Sequence, residues 1–292
     1  NLMRITKAST SEMGDSPIRI AADNKGNVLV SGTFRQPIAF GDILLENKGT
    51  EDIFVAKINE QGSWKRAAIV ENSSETRCLD MSVDSKGNCY ITGDFNDVIR
   101  LGTHELKAGK EKTIYVAKLD YNGEWEWVAE AGGNHSSWAS AIRLDNREEN
   151  LYLIGTITIL NPLSLLKFYP LSAKFGNYKL EFDVPSMNAF IAKISADGEW
   201  QWASGTKERE LVEIKVPQEP KKSWWQKWFL SDMSKTDVVL LSMAVDKEDN
   251  CYVAGSFMDN SEMVYSIFTE QDIGDMSYWE IYISKLGSGM KR

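Results

Sequence analysis

One pattern occurs four times along this 292-residue chain, and nothing else in it restricts the possible folds so strongly. The stretch AADNKGNVLVSGTF at 21–34 returns as SVDSKGNCYITGDF at 82–95, as RLDNREENLYLIGTI at 143–157 and as AVDKEDNCYVAGSF at 244–257. A second signature follows each copy: DIFVAKINEQGSW at 52–64, TIYVAKLDYNGEWEW at 113–127, AFIAKISADGEWQW at 189–202 and EIYISKLGSG at 280–289. Asp23, Asp84, Asp145 and Asp246 anchor the first signature, and Lys57, Lys118, Lys193 and Lys285 the second. Units of this size bury their apolar faces only against neighbours of the same kind, so the fold is an array of like modules.

Each unit reads as four short strands in an antiparallel meander. NVLVSGTF and FVAKIN are rich in β-branched and aromatic residues, and DNKG, DSKG, NEQG, YNGE and ADGE supply turn chemistry between them. In the third strand Phe54, Tyr115, Phe190 and Tyr282 share a face with Ala56, Ala117, Ala192 and Ser284 two positions on. The opposite face carries Val55, Val116, Ile191 and Ile283 and is apolar too, as expected of a sheet held between two others. Radial stacking of such sheets gives an all-β β-propeller of four four-stranded antiparallel blades.

The combination D-x-K-G-N-x-x-x-[ST]-G-[TD]-F, then FG, then FVAKI-x-x-x-G-x-W resembles the SBBP β-propeller repeat. The resemblance is close over 17–128, recognisable over 139–205 and weaker over 239–287, where Asp249 replaces Gly26 and Gly87. It implies a bacterial protein of the cell envelope or exterior, in the periplasm or at the cell surface. It implies no activity, because propellers host enzymes, lectins and scaffolds alike.

Spacing divides the single domain into blade one at about 14–72, blade two at about 76–133, blade three at about 137–206 and blade four at about 236–289. Outer strands begin at Trp64, Trp125 and Trp200, seven residues after the marker lysine, but seven residues after Lys285 is Arg292. Twenty residues separate Trp64 from Asp84 and Trp125 from Asp145, and twenty before Asp23 is Met3. Residues 1–9 are therefore expected to close blade four, which would remove two exposed sheet edges, and four repeats then make either a complete four-bladed ring or half of an eight-bladed ring from two chains.

Several function classes recede on composition. A formal charge of −9 opposes binding along nucleic-acid backbones, which takes clustered lysine and arginine. No apolar run approaches the roughly 20 residues of a membrane-spanning helix, and NLMRITKAST has no signal-peptide core. Cys89 and Cys251 occupy the position of Val28 and Leu151, and Cys78 that of Pro17 and Ala139, so all three read as small core residues. His104 aligns with Ile43 and His135 lies in the linker AGGNHSSW; both read as exposed loop residues without ligand spacing. The aspartates of DNKGN and DSKGN read as turn caps rather than a calcium loop, since a lysine stands in the middle. No cofactor or metal site is expected. There is no G-x-S-x-G elbow, P-loop or dinucleotide fingerprint. Asp94, where blade one has Thr33, is the one strand position that departs towards a carboxylate, and the chain is read as non-enzymatic.

Two insertions interrupt the repeat, at about 158–178 and about 206–235. Gly155 to Lys193 spans 38 residues against 25 in the first two units, and Lys193 to Asp246 spans 53 against 27. The first insertion is apolar, with Leu165, Leu166, Phe168 and Tyr169. The second contains KKSWWQKWFLSD, in which Ser223 is placed to cap a short helix after Pro217 and Pro220. On that helix Trp224, Trp225, Trp228 and Phe229 share one side, flanked by Lys221, Lys222 and Lys227. Three readings compete: the aromatics fold back on the propeller, anchor a protein partner (another copy included), or sit at a membrane surface. The favoured reading is an interaction scaffold or accessory subunit of a larger assembly, docking through both insertions. The alternative is a ligand-binding propeller, for example for carbohydrate, or a hydrolytic one, using the mouth of its central channel.

Overall fold

The structure, a computed structural model, describes residues 9–10, 16–72, 76–109, 111–133, 135–158, 171–182, 187–205, 236–247, 249–259, 264–265, 272–274 and 280–286. These form an all-β protein of antiparallel sheets, with no helix among the described residues.

A short strand β1 (Ser9–Thr10) precedes the first unit, which contains β2 (Ser16–Ala22), β3 (Val28–Phe34), β4 (Ile38–Phe40), β5 (Ile43–Leu45), β6 (Asp52–Ile58) and β7 (Trp64–Asn72). The second has β8 (Thr76–Val83), β9 (Cys89–Phe95), β10 (Val98–Leu101), β11 (His104–Lys107), β12 (Thr113–Leu119) and β13 (Trp125–Gly133). The third has β14 (Ser136–Leu144), β15 (Asn150–Thr158), β16 (Leu171–Phe175), β17 (Tyr178–Phe182), β18 (Asn188–Ser195) and β19 (Trp200–Gly205). The fourth has β20 (Thr236–Val245), β21 (Cys251–Asp259), β22 (Val264–Tyr265), β23 (Asp272–Gly274) and β24 (Glu280–Leu286).

The meanders β2-β3-β6-β7, β8-β9-β12-β13 and β14-β15-β18-β19 are the expected four-stranded blades, and β20-β21-β24 supplies three strands of a fourth. The unit holds more than four strands, however. Its FG signature is the tip of an extra hairpin, and in units two and three that hairpin joins the preceding sheet: β10-β11 pairs with β7, and β16-β17 with β13, whereas β22-β23 forms a separate two-stranded sheet among the described residues. The tips of the first and third hairpins also pack on the tryptophan of their own blade, with Phe40 on Trp64 at 4.9 Å and Phe175 on Trp200 at 5.2 Å between ring centroids. One sheet supplies hydrogen bonds and the next supplies an aromatic floor, so the hairpin straps two blades together. Residues 171–178 belong to the strap, and the extra residues of unit three precede Leu171.

The turns explain why the aspartates repeat. Asp23, Asp84, Asp145 and Asp246 each accept backbone and side-chain hydrogen bonds from an asparagine four or five residues on, Asn27, Asn88, Asn150 and Asn250. The residue three after each aspartate takes a positive φ: Gly26 at 77°, Gly87 at 92°, Glu148 at 58° and Asp249 at 60°. The weaker fourth copy thus keeps the turn and tolerates the missing glycine.

Burial on both faces matches the sandwiched sheets read from the sequence: Phe54, Val55, Tyr115, Val116, Phe190 and Ile191 are all buried. Apolar clusters fill each seam, with Leu29 and Val55 against Met81, Tyr90 and Val116 against Ile142, and Tyr152 and Ile191 against Met243. First strands pack in the order β2, β8, β14, β20, and the sheets do not close into a ring among the described residues.

Candidate functional site at the linker end of the sheets

The antiparallel meander gives every blade two unlike ends. The Asp turns and the turns at 59–63, 120–124 and 195–199 lie at one end; the straps and the blade-to-blade linkers lie at the other. In blade three, β15 and β19 both flank β18 and run parallel to each other, with Ile157 opposite Asn188 and Gly205 opposite Phe190. Thr158 and Gly205 therefore both lie at the linker end of blade three, on opposite sides of β18. Those two residues are the roots of the two insertions. Leu165, Leu166, Phe168 and Tyr169 lie outside the described residues, as do Lys221, Lys222, Trp224, Trp225, Lys227, Trp228 and Phe229.

Next to these roots, the seam between blades two and three holds a polar cluster. Asp94, the departure noted in the sequence, is 1% exposed at its side chain. Arg77, its cross-strand neighbour in β8, places Nη2 2.8 Å from Oδ1 and donates from Nε to Oδ2 at 3.3 Å; the Oδ1 contact is an ion contact without hydrogen-bond alignment. Lys112 Nζ stands 3.5 Å from Oδ2. Two cations thus face one buried carboxylate, the arrangement that lets a charge survive burial. Arg77 is half exposed and has donors beyond the two on Asp94, so it can offer hydrogen bonds outwards.

Across the seam, Ser136 Oγ donates to Glu111 Oε2 at 2.8 Å, and the Ser137 amide donates to the Lys112 carbonyl at 2.9 Å. Ser136 pairs with Thr158, which ties the cluster to the root of the first insertion. His135 corrects the reading of an exposed loop histidine: it is buried ahead of β14, and its Nε2 has no hydrogen-bond partner among the described residues. Burial pushes its pKa below the ordinary 6.5, opposed by the Glu111 carboxylate, so the imidazole is neutral at pH 7. His104 opens strand β11 rather than lying in a loop.

The cluster was partly legible. Arg77 stands where other units have Ser16 and Trp138, and Lys112 where they have Glu51 and Met187. Three charged departures at neighbouring register positions are a signal, but the pairing of β8, β9 and β12 that brings them together joins residues far apart in the chain.

Cys78, Cys89 and Cys251 are buried and unpaired, and burial raises the Cys78 thiol to about 11 and the Cys251 thiol to about 12. Protonated thiols of this kind are poor nucleophiles at pH 7. No group of three or more metal-ligating side chains occurs among the described residues. No family model matches this chain, and no curated protein matches it.

Proposed function

We propose that this protein is a non-enzymatic interaction scaffold, an accessory subunit of a bacterial envelope or extracellular assembly that docks through its two apolar insertions. The observation that carries this reading is that both insertions leave the same end of the same blade, from Thr158 and Gly205 on the two strands that flank β18. Two apolar segments rising from the same end of one blade can form one continuous surface, which the repeat does not need for its own packing. The envelope location rests on the resemblance to the SBBP repeat. The scaffold is a propeller array of four blades per chain in which residues 1–9 supply the outer strand of a blade four. That is supported by β1, in which Thr10 and Ser9 pair with Ile38 and Ala39 just as Asn72 and Glu71 pair with Ile99 and Arg100.

Deleting 217–232 tests the docking site. The shortened chain should remain a folded β protein and lose the partner that the intact chain captures; retained capture contradicts the assignment. A second reading is favoured by the Asp94 cluster: a small polar ligand held at the same end by Arg77 and Lys112. It separates from the first because the deletion would spare ligand binding, while Arg77→Ser would abolish it.

A further inference from the structure

Ile20 breaks a rule that the other three units obey. By strand register its counterparts are Met81, Ile142 and Met243, which face Ile91, Leu153 and Val253 as Ile20 faces Val30. Those three are 4%, 0% and 5% exposed, whereas Ile20 is 73% exposed. Val28 and Val30 are only half-buried, although their counterparts Cys89, Ile91, Leu151, Leu153, Cys251 and Val253 are fully buried. What buries Met81, Ile142 and Met243 is the preceding blade: a residue at the Leu29, Tyr90 or Tyr152 position and one at the Val55, Val116 or Ile191 position. Among the described residues, blade one therefore carries a seam face without a preceding blade upon it.

The register of β1 indicates what belongs there. Thr10 occupies the place that Asn72 and Gly133 occupy at the ends of outer strands, so the covering sheet uses residues up to Thr10 as its outer strand. Its first three strands must come from a blade without an outer strand among the described residues, and β20-β21-β24 is such a blade. It carries Tyr252 at the Leu29 position and Ile283 at the Val55 position. Yet the blade four of the same chain packs on blade three through Met243, Cys251 and Val253 and leaves Ile20 uncovered.

We propose that the Ile20, Val28 and Val30 face of blade one is covered by blade four of a second copy of this chain. This rests on the reading of residues 1–9 as an outer strand. Two such contacts, blade one of each copy on blade four of the other, make a closed ring of eight blades from two chains. Each copy then lends its N-terminal strand to the blade four of its partner. The contact is head to tail, and it closes because the second contact repeats the first.

Light scattering combined with thiol labelling of the intact chain tests this. Cys78, Cys89 and Cys251 are buried, so a native Ile20→Cys variant reports only on position 20. The expected result is a two-copy mass, an introduced thiol labelled at least tenfold more slowly than in the denatured chain, and a halved mass for Ile20→Asp. A single-copy mass with rapid labelling overturns the proposal. A single-copy mass with a protected thiol also overturns it, since the same chain's blade four then covers the face, while the strand reading stands. If residues 1–10 can be removed without changing a two-copy mass that Ile20→Asp halves, the face contact holds and the strand reading fails. Should the cysteine variant not fold, the mass of Ile20→Asp against Ile20→Val decides the same question.

Discussion

The two ends of the blades are built on opposite plans. At the turn end the same device recurs four times: an aspartate binds its own turn, an asparagine closes it, and neighbouring turns touch. Ser85 donates to Glu148, and Asn146 donates to Asp249, so the turn of one blade holds the turn of the next. At the linker end the straps recur, but the side chains beside them differ between the described blades. Blade two has a buried ion cluster, blade three has the roots of both insertions, and a buried neutral histidine stands between them. Repetition at one end fixes the distance and angle between sheets; freedom at the other leaves room for a surface specific to this chain.

The largest effect should come from the framework that joins the two ends. Gly93 lies opposite Tyr115, and a Cβ there would meet the Arg77 carbonyl and come within 2.9 Å of the Tyr115 ring. Gly93→Val should cost about 3 kcal/mol or more in a urea titration. Gly109, at the linker end, has nothing within 4 Å of such a Cβ, so Gly109→Val should stay within about 0.5 kcal/mol of the parent.

Next comes the turn end. Asp84 accepts from the Asn88 amide at 2.8 Å, from Asn88 Nδ2 at 2.7 Å and from Tyr90 Oη at 3.4 Å, all buried. Asp84→Ala leaves those donors unpaired and should cost about 2 kcal/mol by chemical denaturation. An unchanged midpoint would break the claim that these turns hold the array.

At the linker end, Arg77→Ser alone strips Asp94 of its nearest cation and should cost about 1–2 kcal/mol, moderated by Lys112 and by the exposure of Arg77. Adding Asp94→Thr restores the pair that unit one has, Ser16 opposite Thr33, and should recover most of the loss. A double variant no more stable than the single one would mean that the cluster does more than satisfy its own charge.

The pH dependence should separate the ends most gently. His135 prefers its neutral form when folded, so protonation favours the unfolded chain; stability is complete above pH 6.5 and declines as pH falls below it. At the turn end, burial of Asp23 works against its charged form, but hydrogen bonds from Asn27 and Lys25, with Lys57 nearby, hold its pKa below 3.8. That contribution is full above pH 3.8 and is lost only at lower pH. The change in melting temperature between pH 7 and pH 5 should therefore be altered by His135→Gln and left unaltered by Asp23→Asn, whatever that substitution costs at a single pH.

Much of the framework was legible because it repeats. The outer strands begin at Trp64, Trp125 and Trp200 as the spacing required, and the cysteines occupy the core positions of Val28, Leu151 and Ala139. The straps were not legible as strands of the neighbouring sheet, since residues such as Ile99 and Ala173 carry no mark of which sheet they join. Nor was the burial of His135, because AGGNHSSW has linker composition and its position is set by Ser136 and Glu111 across the seam. The contrast is physical: local turn chemistry is written in neighbouring residues, whereas edge pairing depends on residues far apart in the chain.

The most direct test is amide hydrogen exchange on the chain with 217–232 deleted. If the linker end carries a surface that the framework does not need, protection across β14 to β19 and across the four Asp turns should match the intact chain. Loss of protection in blade three, where the insertion is rooted at Gly205, would show that KKSWWQKWFLSD is part of the core and would contradict its assignment as a docking surface.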